Sequence, residues 1–214
     1  MSRSIVLVSL LAFAAGSASA QASRPAAWRL IFDSRAPSDT AVPFVSMAPG
    51  WHAVAGAGML AFDTTNSWSG DDSLESVLYL FSSAPGTGAG IMLGGRDLGT
   101  PAEHYVAFVV GPDGRYQIVR RSHGTTTALI PWRAAAFAPK HPGGTGNVRI
   151  VLGVQADSAN LTFTIDGGVV AILPKIAVQP SGTVGLRIER GTSAHIATLS
   201  IGARNVAPTP ARTS

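Results

Sequence analysis

Hydrophobic and polar residues alternate regularly between Asn147 and Leu173, and this alternation predicts three consecutive antiparallel β-strands. A period of two is typical of strands that bury one face. Asp157-Ser158 marks the first turn, and Asp166-Gly167-Gly168 supplies residues that tolerate a positive φ in a tight hairpin. The apolar positions that share one face are Val148, Ile150, Leu152, Val154, Leu161, Phe163 and Ile165.

The same kind of pattern continues along the rest of the chain and predicts about a dozen short strands. Residues 73–83 are apolar on both sides, which indicates a central strand. Gly111-Pro112-Asp113-Gly114 predicts a turn between strands at 105–110 and 115–121. Residues 63–72 are polar and predict a loop that carries Trp68. With no long helix, no repeat and no second domain, the pattern predicts one all-β, two-sheet antiparallel sandwich over residues 28–203.

The two ends of the chain differ from this region in composition. Arg3, an apolar run at 5–15 and small residues up to Ala20 predict a signal peptide over residues 1–20. The run is too short to span a bilayer, which takes about 20 apolar residues. Residues 21–27 form a polar lead-in, and residues 204–214 are predicted to be a disordered tail. We therefore expect an exported protein, periplasmic or extracellular.

The cysteine content and the charge distribution bear on how the fold is stabilised and on which partners are expected. The 214 residues include no cysteine, so the folded chain depends on its core and not on disulfides. The formal net charge is +4, yet only 13% of residues are charged and the basic ones are scattered, with Arg120-Arg121 the densest point. A nucleic-acid surface normally clusters its basic residues on one face. A nucleic-acid partner is therefore not expected.

Several segments of turn and core residues follow one another along the chain in an order seen in a known family. They are Gly50-Trp51-His52, Gly90 to Leu98, Tyr105-x-x-Phe108, Pro112 to Tyr116, Leu129 to Trp132, Asn147 to Ile150, Leu161 to Gly167, and Gly182 to Leu186. In these segments the chain resembles the concanavalin A-like (laminin G-like) jelly rolls of exported bacterial proteins. It is similar to their branch related to 3-keto-disaccharide hydrolases, formerly domain of unknown function 1080. The resemblance implies a jelly-roll β-sandwich and a glycan-related role.

Catalytic and metal chemistry find little support in the sequence. The hydrolase branch carries an acid in the strand where this chain has His104-Tyr105-Val106. Asp71, Asp72 and Glu75 form the one acidic cluster, and no pair among them has the spacing on one strand face that a glycosidase needs. The histidines lack zinc spacing. We therefore predict no catalytic residue and no metal ligand, although Asp71 and Asp72 with Asp63 could hold a structural calcium ion.

Exposed aromatic and arginine side chains are the best candidates for binding, because sugar rings stack on aromatic faces and guanidinium groups bond hydroxyls and carboxylates. The alternative for each is a structural role, as a core aromatic or a solvated strand face, and for Trp51 and Trp132 the core position is favoured. The candidate ligand-binding residues are Trp68, Trp132, Arg96, Arg120 and Arg121.

Three functions remain open at this point. The first is a non-catalytic module that binds carbohydrate or a cell-envelope polymer, on the concave sheet or its rim loops. The second is a glycoside-processing hydrolase, and the third is a structural or adhesion protein that contacts other proteins. The absence of paired acids favours the first.

Overall fold

The computed structural model describes residues 25–34, 43–141, 143, 146–202 and 204–205. The predicted signal peptide, most of the lead-in and the tail from residue 206 lie outside these residues, so those predictions are not tested. Arg204 and Asn205, which begin the predicted tail, pair as a two-residue strand with the strand before them. Within the described ranges, no helix has the length and apolar character needed to cross a membrane.

Fifteen strands and one short helix make up the described part of the chain. They are β1 (Trp28–Phe32), β2 (Phe44–Ser46), β3 (Trp51–Val54), β4 (Met59–Trp68), β5 (Ser73–Phe81), β6 (Ala89–Arg96), β7 (His104–Val110), β8 (Arg115–Ser122), β9 (Thr125–Ala134), β10 (Asn147–Ala156), β11 (Asn160–Ile165), β12 (Gly168–Pro174), α1 (Lys175–Val178), β13 (Gly182–Ile188), β14 (Ser193–Ile201) and β15 (Arg204–Asn205).

The strands form two antiparallel sheets that pack face to face. The first sheet has seven strands in the order β1-β4-β13-β6-β7-β8-β9. The second has the order β12-β11-β10-β5-β14-β3-β2, with β15 added beside β14. Chain neighbours such as β3 and β4, or β13 and β14, lie in different sheets, so the chain crosses repeatedly between the layers. The all-β, two-sheet prediction is confirmed.

The predicted three-strand meander is present as β10, β11 and β12 at the edge of the second sheet. Asp166 and Gly167 both have positive φ, 46° and 80°, in the turn between β11 and β12. The Asp166 side chain also accepts a hydrogen bond from the Val151 backbone N–H at 2.8 Å, which ties the turn to β10. Strand β5 lies between β10 and β14, as its two apolar faces predict.

The core between the sheets contains the inward-facing residues of both layers. Phe108 of the first sheet meets Phe163 of the second, with ring centroids 5.3 Å apart. Near the other end, Trp28 packs against Phe44 and Trp51. Trp51 is therefore a core residue, as expected.

A second, smaller apolar cluster lies on the opposite, outer face of the first sheet. Its buried members are Leu60, Phe62, Met92, Tyr105, Ala107 and Val109. Every residue of β7 is buried because even-numbered positions such as Phe108 face the other sheet and odd-numbered positions such as Tyr105 face this cluster. The first sheet therefore carries buried apolar residues on both faces.

The predicted loop over residues 63–72 is wrong for its first six residues. Strand β4 continues to Trp68, whose side chain is only 3% exposed and belongs to the core between the sheets. The polar residues stay extended because Ser67 and Trp68 pair with Thr183 and Gly182 of β13, across an irregularity in the ladder. After β12 the chain forms α1, a single helical turn.

Since Trp68 is a core residue, Trp68→Ala is expected to lower the free energy of unfolding by about 3–5 kcal/mol, through lost apolar burial and the cavity left behind. Urea denaturation followed by circular dichroism measures this. Thr162→Ala, on the outer face of β11, is the control and should change stability by less than about 0.5 kcal/mol. A Trp68→Ala protein as stable as the control would contradict the buried position.

Candidate functional site

A groove of about 550 Å³ crosses the outer face of the first sheet. Strands β1, β4, β7, β8 and β13 and the loop between β6 and β7 form its walls and floor. An adjoining cavity of about 640 Å³ shares Ile31 and Gly99 with it and extends the groove along β1 and β4. The residues that line the first part are Ile31, Phe32, Asp33, Leu60, Gly99, Thr100, Glu103, Tyr105, Gln117, Val119, Arg121, Thr126, Arg187 and Glu189.

Arg187 of β13 is the central charged residue of the groove. Its side chain is 9% exposed, and it bonds two carboxylates at once. Both terminal nitrogens donate to Asp33, with Nη1 to Oδ1 at 2.6 Å, and the guanidinium also donates to Glu189 at 3.1 and 3.2 Å. A buried cation needs such partners because desolvation alone costs several kcal/mol. Burial acts to lower the pKa of Arg187, but the bonds to Asp33 and Glu189 outweigh it and raise that pKa.

Gly58 makes room for this network. A Cβ at that position would overlap the Asp33 carboxylate and stand 3.0 Å from Arg187 Nη2. The Gly58 carbonyl also accepts the Asp33 backbone N–H at 2.9 Å. Gly58, just before β4, therefore holds Asp33, just after β1, where its carboxylate meets the guanidinium.

A second ion pair stands on the opposite side of the groove. Glu103, at the end of the loop before β7, accepts a hydrogen bond from Arg121 Nε at 2.9 Å and one from the Gly99 backbone N–H at 3.3 Å. Arg121 also donates to the Thr126 hydroxyl at 3.1 Å. These bonds fix the β6–β7 loop against the ends of β8 and β9, which defines one rim of the groove.

Tyr105 forms part of the floor between the two ion pairs. Its side chain is nearly buried, and it packs with the outer apolar cluster. Burial raises the pKa of the Tyr105 phenol, so the hydroxyl stays protonated and able to donate at neutral pH. The groove thus has an apolar floor and a charged, hydrogen-bonding rim.

The predicted binding residues are distributed over several places. Trp68 lies in the core, so the prediction that it is an exposed aromatic is wrong. Trp132, on the edge strand β9, is partly buried against the outer apolar cluster, and its role in binding stays a prediction. Arg121 lines the groove, whereas Arg96 and Arg120 lie together in a smaller cavity at one end of the first sheet.

The acidic cluster predicted from the sequence does not form a shared site. Asp71 pairs with Lys175 at 3.1 Å, and Asp72 accepts the Ser73 backbone N–H at 2.8 Å. Asp63 lies in the middle of β4, where it bonds Thr65. Among the residues that the structure describes, no three His, Asp or Glu side chains gather as a metal site requires, and the calcium hypothesis gains no support.

Sequence reasoning missed the network of Asp33, Arg187 and Glu189. The partial signal was Arg187-x-Glu189 at the end of a strand, where two opposite charges point to the same face. The contact with Asp33 spans 154 residues of sequence and follows only from the placement of β1 and β13 on either side of β4.

A scan against protein-family models finds no match, and a search of curated proteins finds none either. Solved structures do match. The carbohydrate-binding module CBM66 from Bacillus subtilis superposes with a TM-score of 0.54 at 15% identity, over 79% of this chain and 91% of the module. The fold is a concanavalin A-like jelly roll.

Two further solved structures share this jelly roll. A Bacteroides ovatus mixed-linkage glucan PUL GH16, solved in complex with a G4G4G3G product, matches with a TM-score of 0.57 at 11% identity, over 84% of this chain and 97% of that one. A β-glucanase from Bacillus licheniformis matches with a TM-score of 0.55 at 9% identity, over 85% and 95%. At identities this low, the superpositions establish the jelly-roll fold alone. The specific branch that the sequence resembles stays a prediction.

The Asp33–Arg187 contact predicts a pH dependence of stability. Burial acts to raise the pKa of Asp33, but the hydrogen bonds and charge of Arg187 outweigh it and hold that pKa below the ordinary 3.8. A carboxyl with a lowered folded-state pKa contributes stability above its unfolded pKa, and the contribution is lost as pH falls through the folded value. Asp33→Asn should therefore lose less stability than the natural protein on acidification.

Urea unfolding at about pH 6 and about pH 3 measures this difference, which we expect to reach at most about 1 kcal/mol because Asp33 is half exposed. Glu75→Gln, an exposed carboxyl on the second sheet, is the control and should follow the natural protein. Equal losses of stability on acidification in Asp33→Asn and in the natural protein would show that the Asp33–Arg187 contact does not contribute to the pH dependence.

Proposed function

We propose that this protein is an exported, non-catalytic jelly-roll module that binds carbohydrate, and that the groove on the outer face of the first sheet is its site. The observation that carries the proposal is the combination of an apolar floor, from Tyr105 to Leu60, with rims of fixed guanidinium and carboxylate groups. Sugars present an apolar ring face and a periphery of hydroxyls, and such a groove matches both.

The geometry of the charged groups supports hydroxyl recognition. Arg187 and Arg121 are each held by carboxylates on the groove wall, so donors and acceptors are fixed before a ligand arrives. Preorganised polar groups avoid part of the entropy cost of binding. Gln117 and Thr126 add neutral donors and acceptors to the lining of the groove.

Glycoside hydrolysis is the second candidate, and one observation favours it. Asp33 and Glu189 both bond Arg187 Nη2, which brings their nearest oxygens within roughly 6 Å, close to the spacing of retaining glycosidases. A glycosidase also needs one carboxyl that stays protonated as the general acid. Arg187 favours the ionised form of Asp33, which makes Asp33 a poor general acid, so binding is the better supported function.

Contact with other proteins is the third candidate, on the outer face of the second sheet. His52, Tyr79, Phe81 and His195 form a patch there beside the exposed Met47. Nothing at this patch identifies a partner, so we place the function in the groove of the first sheet.

The proposal predicts that the protein binds polysaccharides on a glycan microarray and that Arg121→Gln and Gln117→Ala each weaken the binding at least about tenfold, through lost hydrogen bonds. Arg149→Gln removes the same charge as Arg121→Gln from an exposed position on the second sheet and should bind as the natural protein does. Chromatography of the glycan after incubation should detect no shortened product.

Three results would contradict this account. Release of shortened saccharide would favour the hydrolase, and a complete absence of glycan binding would favour protein contact. Equal loss in Arg149→Gln and Arg121→Gln would show that binding depends on overall charge and not on the groove.

A further inference from the structure

A separate cavity of about 290 Å³ lies at the end of the sandwich, where β6 ends, β7 begins and β8 ends. Its lining differs from that of the groove, because neighbouring residues of a strand face opposite sides of the sheet. Arg120 is paired with Val106, whose side chain faces the second sheet, whereas Arg121 is paired with Tyr105 on the outer face. The two adjacent arginines therefore line two different cavities.

Both guanidinium groups in this cavity are held by uncharged oxygens. Arg96 donates to the Ser181 carbonyl at 3.1 Å and to Gln179 Oε1 at 2.8 Å, and Arg120 donates to the Ala177 carbonyl at 3.3 Å. Within the described part of the chain, neither arginine forms an ion pair with a carboxylate. Asp97 lines the same cavity as its one acidic residue, so the two positive charges exceed the negative one.

His104 supplies a second, independent observation. Its side chain is 8% exposed, and its Nε2 atom is buried without a hydrogen-bond partner. Its Nδ1 atom lies 3.0 Å from Arg96 Nη2 and 3.3 Å from the Gly94 carbonyl. A guanidinium can only donate, so the shorter contact assigns Nδ1 as an acceptor and places the ring proton on Nε2.

His104 Nδ1 accepts from Arg96 Nη2 and so orients that guanidinium in the cavity. The cavity also holds the Arg120 guanidinium, and neither cation is neutralised by a carboxylate contact within the described part of the chain. An oxyanion fits this arrangement, since its oxygens accept from the remaining guanidinium N–H groups of Arg96 and Arg120. A neutral hydroxyl would leave the charge uncompensated.

We propose that this cavity binds the carboxylate of an acidic sugar, so that the glycan recognised by the protein is a uronate-containing one. The identity of the glycan rests on the function proposed above, whereas the anion site rests on Arg96, Arg120 and His104 alone. A planar carboxylate matches the fork of a guanidinium, which makes it a better fit than a sulfate ester.

Isothermal titration calorimetry at low salt tests the proposal with trigalacturonate and its methyl ester, two ligands that differ in charge. The acid should bind at least about tenfold more tightly than the ester, and Arg120→Gln should remove most of that preference. Arg121→Gln, the same substitution one residue along the strand, should keep it. Arg149→Gln controls for net charge, and thermal unfolding confirms that each variant is folded.

His104→Gln provides a second variant, and inorganic sulfate a second probe. His104→Gln should weaken the binding of the acid more than the binding of the ester, and sulfate should bind to the natural protein more weakly than trigalacturonate. Equal binding of acid and ester, equal loss in Arg120→Gln and Arg149→Gln, or sulfate binding tighter than trigalacturonate would each overturn the proposal. Neutral glycans that bind in an Arg121-dependent way, with no preference for the acid, would leave the groove as the site and refute the anion site.

Discussion

The cationic side chain of Arg187 lies buried in the outer face of a sheet that is apolar on both sides, and much of the architecture around it follows from that position. A charge so placed is tolerable only with hydrogen-bonded counter-charges, which Asp33 and Glu189 supply. Asp33 can reach it because β1 pairs with β4 beside β13 and because Gly58 carries no side chain. The contact between Asp33 and Arg187 therefore holds β1 at the edge of the sheet and forms one wall of the groove. It also favours the ionised form of the Asp33 carboxyl.

The jelly roll serves both glycan-binding modules and glucan-degrading enzymes among the solved structures that it matches, so the fold alone does not decide between them. The decision depends on what surrounds the carboxylates. In this chain, Asp33 and Glu189 are bonded by one arginine and Glu103 by another. Asp33, whose ionised form Arg187 favours, is well suited to accept hydrogen bonds from hydroxyls and poorly suited to deliver a proton to a leaving group.

The sequence predicted the fold where one face of a strand is buried and turns are marked by residues with special backbone preferences. The meander of β10 to β12 and the turn ending at Gly114, with φ of 78°, follow from such local signals. The end of β4 does not follow from local signals, because its polar residues Thr64, Thr65 and Ser67 predict a loop. The burial of Trp68 and the pairing with β13 keep the segment extended. Tertiary pairing overrode local composition there.

Most of the candidate site could not be predicted from local sequence patterns, because it also depends on how distant strands pair. Arg120 and Arg121 were recognised as candidates, yet only strand parity assigns one to the end cavity and the other to the groove. Asp33 and Arg187 meet through sheet order, and the unpartnered nitrogen of His104 follows from its burial and from Arg96 beside it. None of these relations has a signature within a few residues of sequence.

Mapping of backbone amide shifts by NMR during titration with a bound oligosaccharide tests the central claim most directly, because it locates the ligand without altering the protein. Binding in the groove should shift residues of β7, β8 and β13 and of the loop that carries Glu103, with the second sheet unchanged. Shifts confined to the patch around His52, Tyr79 and His195 would place the site on the opposite sheet and contradict it.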